Sequence, residues 1–234
     1  MTDKSLIKKK DYYDFRTDVW TGNQYKGLYG KLVLHGHIKL ENQFSKTDHF
    51  GKVLEVGCGS AEHINHIKHS YNEYHMTDSN EMYTTKLREN LSEKFRKKTI
   101  IATENACKLS YDDNTFDRLI ATHVMEHLPF PHEVFDEWSR LLKPGGVMSI
   151  LLPCDPGVLW RFGRMIRPGR KNSYSEDYFY HMALEHINPI NNLVAILRKK
   201  GGRMKEYWWP MHVASIDLNL FYYLYYKNNL YAHC

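Results

Sequence analysis

Between residues 51 and 152 short apolar runs and amphipathic stretches take turns along the chain. Val53, Leu54 and Val56 open the series, and the pattern predicts strands at 52–57, 73–77, 99–103, 116–122 and 146–152. The stretches between them predict helices at 61–69, 80–97 and 131–143. Strands alternating with helices in this way build a parallel sheet covered on both faces. Outside this stretch the rhythm changes. Residues 1–50 are polar and mixed in charge, carry aromatics from Tyr12 to Tyr29, and read as a helical cap. Residues 153–183 are rich in Pro, Gly, Arg and Tyr and read as an insertion. A helix at 189–200 stops at Gly201-Gly202, and a strand follows at 204–209. The aromatic tail 216–231 closes the chain as a strand with a capping helix, or as a dimer face. The expected fold is α/β: a doubly wound, mostly parallel seven-stranded sheet with one antiparallel strand. Residues 1–50 form the cap, 51–234 the domain, and 153–183 cover a pocket.

The first strand leads into Val53-Leu-Glu-Val-Gly-Cys-Gly-Ser-Ala-Glu-His63. A strand, a glycine turn and a helix start bring backbone N–H groups against a nucleotide-like ligand. Glu55 inside the strand does not suit a phosphate, but it suits a ligand carrying positive charge. Two nucleotide motifs are excluded on spacing. G-x-G-x-x-G would need glycine where Glu62 stands, and no G-x-x-x-x-G-K-[ST] occurs. Further on, Asp78 in Met76-Thr-Asp-Ser-Asn-Glu-Met82 has two roles open to it. It can accept both hydroxyls of a ribose, or it can cap helix 80–97. Asp112-Asp113 reads as a turn before the fourth strand rather than as a metal pair, and no metal site is expected.

These segments carry a resemblance. The first resembles motif I, E/D-x-G-x-G-x-G, of the class I S-adenosylmethionine-dependent methyltransferases, with Ala61 in place of the third glycine. Leu109-Ser-Tyr-Asp-Asp-Asn-Thr-Phe-Asp117, His123-Val-Met-Glu-His-Leu128 and Leu141-Leu-Lys-Pro-Gly-Gly146 are similar to the family's later segments, in the same order. The likeness is greatest to small-molecule enzymes of quinone biosynthesis and sugar modification. It implies a Rossmann-like fold and S-adenosyl-L-methionine as cofactor, held by Glu55, Gly57, Cys58, Gly59, Asp78, Ser79, Asn105, Ala106 and His123. Asn105 and Ala106 stand where the family's Asp-Ala pair meets the adenine edge, and His123 by the methionine end. His127, four residues on, can point into a substrate pocket and is a candidate catalytic group. His186, in Glu185-His-Ile-Asn-Pro189, is another, with a loop histidine as the alternative.

Composition adds bounds. The cysteines Cys58, Cys107, Cys154 and Cys234 show no framework or metal-ligand spacing, which points to a reducing, cytoplasmic setting. No signal peptide follows Met1, and no stretch reaches the ~20 apolar residues of a membrane span. A net charge of +5 is too mild for a dedicated nucleic-acid binder. The basic run Trp160–Lys171 is a solvated loop or a phosphate clamp built from Arg161, Arg164, Arg167 and Arg170. Contact of the tail with a membrane surface is the weaker reading, and a homodimer is allowed. The expected function is methyl transfer to a small molecule: O-methylation of a phosphate-bearing sugar or glycan precursor, nucleotide- or lipid-linked. The alternatives are a cofactor-binding or RNA-binding module without catalysis, or a quinone or lipid methyltransferase.

Overall fold

The computed structural model describes residues 25–165, 176–201 and 204–228. Seven strands form one sheet: β1 (His49–Val56), β2 (Ser70–Asp78), β3 (Thr99–Thr103), β4 (Phe116–Thr122), β5 (Leu142–Pro153), β6 (Met204–Pro210) and β7 (Asn219–Lys227). Their spatial order is β3-β2-β1-β4-β5-β7-β6. The first five pair in parallel, and β7 runs antiparallel to both β5 and β6. One strand therefore opposes six, as the pattern predicts. The chain winds outward from β1 to β3 on one side and from β4 to β5 on the other. The crevice at the carboxyl ends of β1 and β4 is thus the switch point where such sheets bind ligands.

The helices are α1 (Gly27–Leu40), α2 (Glu81–Asn90), α3 (Glu93–Arg96), α4 (Pro131–Leu141), α5 (Val158–Met165), α6 (Glu176–Glu185) and α7 (Ile190–Gly201). Apolar side chains fill a layer on each face of the sheet. One joins Leu54, Leu119 and Ile150 to Trp138 of α4 and Leu197 of α7. The other joins Val53, Met76 and Ile120 to Leu40 of α1, Leu87 of α2 and Phe95 of α3. The aromatic tail is explained by β7, which lies inside the sheet. Tyr222, Leu224 and Tyr226 pack into the first layer, and Phe221, Tyr223 and Tyr225 into the second. Such alternation is what a strand buried on both faces requires. No capping helix follows β7 among the described residues. No helix of the described residues is long and apolar enough to cross a membrane.

Two predicted helices differ. The stretch 61–69 holds only a 3-10 turn, His63–His66, after Ala61 adopts φ 58°. A left-handed alanine interrupts the right-handed helix that the pattern extends from it. Helix 80–97 breaks into α2 and α3 because Leu91 and Ser92 are not helical, with ψ 131° and 136°. The guanidinium of Arg96 then donates to the carbonyls of Arg88, Glu89 and Leu91, satisfying the end of α2. Helix 131–143 ends at Leu141, and Lys143 already belongs to β5.

Candidate active site

The glycine turn and the end of β2 are clamped together. Cys58 N–H donates to Thr77 O at 2.9 Å, and Gly59 N–H donates to Asp78 Oδ2 at 2.9 Å. The other oxygen, Oδ1, accepts from Asn80 N–H at 2.9 Å. The cap of α2 is Asn80, whose side chain accepts from Met82 N–H. The helix is thus capped without Asp78. Two backbone donors fix an acceptor-only carboxylate at the rim of a cleft that encloses about 1040 Å³ of empty space, solvent at its mouth included. Glu55 lies deeper in the same cleft, and its Oε2 accepts from Tyr74 Oη at 2.8 Å. Burial pushes the Glu55 carboxyl up, against His63 and the tyrosine hydrogen bond, which favour its charged form. A buried carboxylate in this setting gains from a cation beside it.

Cys58, Ser79 and His123 line the cleft as expected, and so do Gly57 and Gly59, but the two glycines act differently. A Cβ on Gly57 would stand 2.5 Å from Val124 Cγ2, so this glycine makes room for the protein's own valine. A Cβ on Gly59 would meet no protein atom within 4 Å, so the space above it is open. Gly57, with φ 67°, is expected to lose stability on Gly57→Val by overpacking and backbone strain, about 1–3 kcal/mol in a thermal melt. Gly59→Ala and Asp78→Ala are expected to stay folded and to weaken S-adenosylhomocysteine binding about tenfold or more by calorimetry. Unchanged affinity in both would remove the cofactor assignment.

After β3 the expected pair separates. Ala106 is buried and lines the cleft, its carbonyl held by Trp138 Nε1–H at 2.9 Å. Asn105 is exposed and does not line the cleft, because its Oδ1 turns to accept from Cys107 N–H at 2.9 Å. Of the pair expected at the adenine edge, the cleft therefore receives Ala106 alone. Glu104, one residue earlier, lines the wall instead.

At the end of β4 the backbone is strained. His123 holds φ 57°, a left-handed conformation that a histidine adopts only when the surroundings impose it. A 3-10 turn, Met125–His127, follows. Asn188 pins this turn: its backbone N–H donates to Glu126 O, and its side-chain amide donates to the carbonyls of Met125 and Leu128 at 3.2 and 2.6 Å. His127 lines the cleft with Nδ1 2.9 Å from Glu185 O. His186 stands behind it rather than in the lining, ring centroids 4.8 Å apart, with Nδ1 2.6 Å from Asp155 Oδ2. Glu126 is buried among these imidazoles. Burial would raise its carboxyl, but His123, His127 and His186 outweigh that and hold it below the usual range.

Arg161 is exposed on α5 and does not line the cleft, and Arg164 lies in the same helix. Arg167 and Arg170 lie outside the described residues. No lysine or arginine is found in the described lining, whereas Glu55, Glu62, Asp78, Glu104 and Glu185 are. A chain of net charge +5 thus presents an acidic cleft. Sequence reasoning missed Tyr25, His37 and Glu185, which come to the cleft from α1 and α6 or beside them; no local motif marks them.

Open space over Gly59, an anchored Asp78 and a buried Glu55 fit a ligand with a ribose and a positive charge. Residues 54–150 match a family model described as a methyltransferase domain. That segment is a methyltransferase domain, and in fold the chain resembles the class I S-adenosylmethionine-dependent methyltransferases. A sterol 24-C-methyltransferase of Gibberella zeae is 27% identical over 171 residues, covering 64% of this methyltransferase and 42% of that protein. One from Schizosaccharomyces pombe is 27% identical over 166 residues, 63% and 41% of the two chains. A highly reducing polyketide synthase of Aspergillus terreus is 30% identical over 109 residues, 43% of this chain and 4% of that one. The methyltransferase thus spans less than half the length of these curated relatives. Among solved structures, an S-adenosylmethionine-dependent methyltransferase from Aquifex aeolicus matches with TM-score 0.52 at 18% identity, covering 97% of this chain and 99% of that one. The CurJ carbon methyltransferase matches with TM-score 0.58 at 14% identity, covering 92% and 58%. At such identities the likeness is one of fold.

Proposed function

We propose that this methyltransferase moves a methyl group from S-adenosylmethionine to a hydroxyl of a small molecule, with His127 as the proton acceptor. The tautomer of His127 carries the reading. A backbone carbonyl can only accept, so the contact from Nδ1 to Glu185 O places the proton on Nδ1 and leaves the lone pair of the neutral ring on Nε2. When bound, the cofactor supplies a sulfonium-borne methyl that is already electrophilic. The protein aligns the acceptor oxygen, worth ~7–11 kcal/mol in favourable cases. As that oxygen takes up the methyl, its proton passes to Nε2 of His127. Glu126, with Oε1 3.8 Å from Nε2, then faces the imidazolium with negative charge.

The acidic lining supports an acceptor without a strong negative charge, and it argues against RNA, whose backbone would be repelled. A phosphate-bearing sugar or glycan precursor, or a nucleotide- or lipid-linked one, draws its support from the arginine run 161–170 of the sequence alone. Carbon methylation is the second reading, favoured by what the printed names of the fungal sterol enzymes say of those enzymes. The test is transfer from methyl-labelled S-adenosylmethionine to a panel of uncharged and phosphorylated hydroxyl compounds, with the product resolved by NMR. A methyl ether is expected. A new carbon–methyl bond would move the assignment to the second reading. S-adenosylhomocysteine binding without transfer to any compound would leave a cofactor-binding module.

A further inference from the structure

A chain of buried polar groups runs from the middle of the sheet to the cleft, and two of its members, Glu41 and His37, lie outside the segments that carry the family resemblance. Arg118 of β4 and Glu41, just after α1, are both fully buried and pair through both guanidinium NH₂ groups, Nη1 to Oε2 at 3.0 Å and Nη2 to Oε1 at 2.5 Å. His63 Nε2 stands 3.0 Å from Glu41 Oε1, and His63 Nδ1 stands 3.1 Å from His37 Nδ1. His37, on α1, lines the cleft and is 2% exposed.

The proton positions along this chain follow from its fixed end. Burial alone would raise the Glu41 carboxyl. The charge of Arg118 and the hydrogen bonds from His63 and Arg118 outweigh it, so Glu41 is ionised and can only accept. His63 Nε2 must therefore carry a proton. In the neutral ring Nδ1 of His63 then keeps its lone pair. The short contact then needs the proton on Nδ1 of His37, which leaves His37 Nε2 as an acceptor. That nitrogen is buried and has no hydrogen-bond partner among the described residues. Burial and the imidazoles of His63, His123 and His66 also keep the His37 ring from taking up a proton. A buried acceptor without a partner, at the wall of a cleft, implies a donor on the ligand.

We propose that His37 Nε2 accepts a hydrogen bond from the ammonium group at the methionine end of the cofactor, and that Arg118, Glu41 and His63 act through it as positioning residues. This rests on the cleft being the cofactor site. A neutral acceptor from His37 and the buried Glu55 carboxyl, which a cation beside it would hold ionised, suit an ammonium, which offers several donors and one positive charge.

Two substitutions separate recognition from structure. His37→Asn keeps an amide N–H near the position of Nδ1, facing His63, and removes the acceptor. His37→Gln can place an amide oxygen near the position of Nε2 and gives up the bond to His63. Calorimetry with S-adenosylhomocysteine is expected to show about tenfold weaker binding in His37→Asn and near wild-type binding in His37→Gln. The analogue lacking the amino group is expected to bind both variants and the wild type alike. A purely structural His37 predicts the reverse order for the two variants, and that result overturns the proposal. Equal weakening with the deaminated analogue also overturns it, because the donor would lie elsewhere on the ligand. Nitrogen NMR of the histidine rings in the wild-type protein is independent of variant folding. It should show His37 protonated on Nδ1 alone, and a proton on Nε2 contradicts the proposal. Wild-type protein that binds no S-adenosylhomocysteine would sink the cofactor site itself, whatever the tautomer.

Discussion

Arg118→Met is expected to lower the unfolding free energy by about 3–5 kcal/mol in urea, with the slope of the transition unchanged. Arg118 is fully buried in β4, lies 4.0 Å over the Phe44 ring, and holds Glu41 with two hydrogen bonds and Ser149 Oγ with a third. The substitution keeps much of the volume but leaves the carboxylate of Glu41 in the interior with His63 and the Lys68 N–H beside it and no formal positive charge from Arg118. Removing one partner of a buried pair is far more damaging than removing both. The double variant Glu41→Leu with Arg118→Met is therefore expected to recover a large part of the loss. The same pair fixes the sign of the acid response. The folded-state pKa of Glu41 lies below its unfolded value. Its contribution is complete above the ordinary carboxylate range and is lost as the pH falls below that range toward the folded-state value. Glu41→Gln should flatten that part of the stability–pH curve. A loss under about 1 kcal/mol in Arg118→Met would mean that the pair is dispensable to the fold.

That pair also marks the boundary of what the chain discloses on reading. The strand, glycine turn and following acid are local patterns, and the sheet built from them has the predicted order of strand and helix. Glu41 and Arg118 are 77 residues apart, and His37 and His63 are 26 apart, so no periodicity joins them. Arg118 looks like a polar entry to an apolar strand, and only the assembled sheet gives it a carboxylate. Motif I names two glycines but does not say that one faces Val124 and the other open space. Asn105 occupies a family position, yet an Asx turn onto Cys107 N–H captures its side chain first. Ala61 takes up a left-handed conformation of the kind glycine favours, and the helix expected after it shrinks to a 3-10 turn.

The last expected result concerns the chemistry. His127→Asn should reduce kcat by about 10²–10⁴ while leaving S-adenosylhomocysteine affinity unchanged. Asparagine can keep an N–H toward Glu185 O, so the wall of the cleft is held, and only the Nε2 lone pair is deleted. His186→Asn should have a smaller effect, under about tenfold, since His186 stands behind His127 on Asp155 and reaches the acceptor only through it. Asn188→Ala should fall between the two, because it frees the carbonyls of Met125 and Leu128 and lets the turn that carries His127 drift. The order His127, Asn188, His186 distinguishes a base held in place by its neighbours from a diffuse structural role. A structural role would lower thermal stability in all three variants without ranking their kcat values. Wild-type kcat in a folded His127→Asn protein would exclude His127 as the base and point to an acceptor that needs none, such as an amine or a carboxylate.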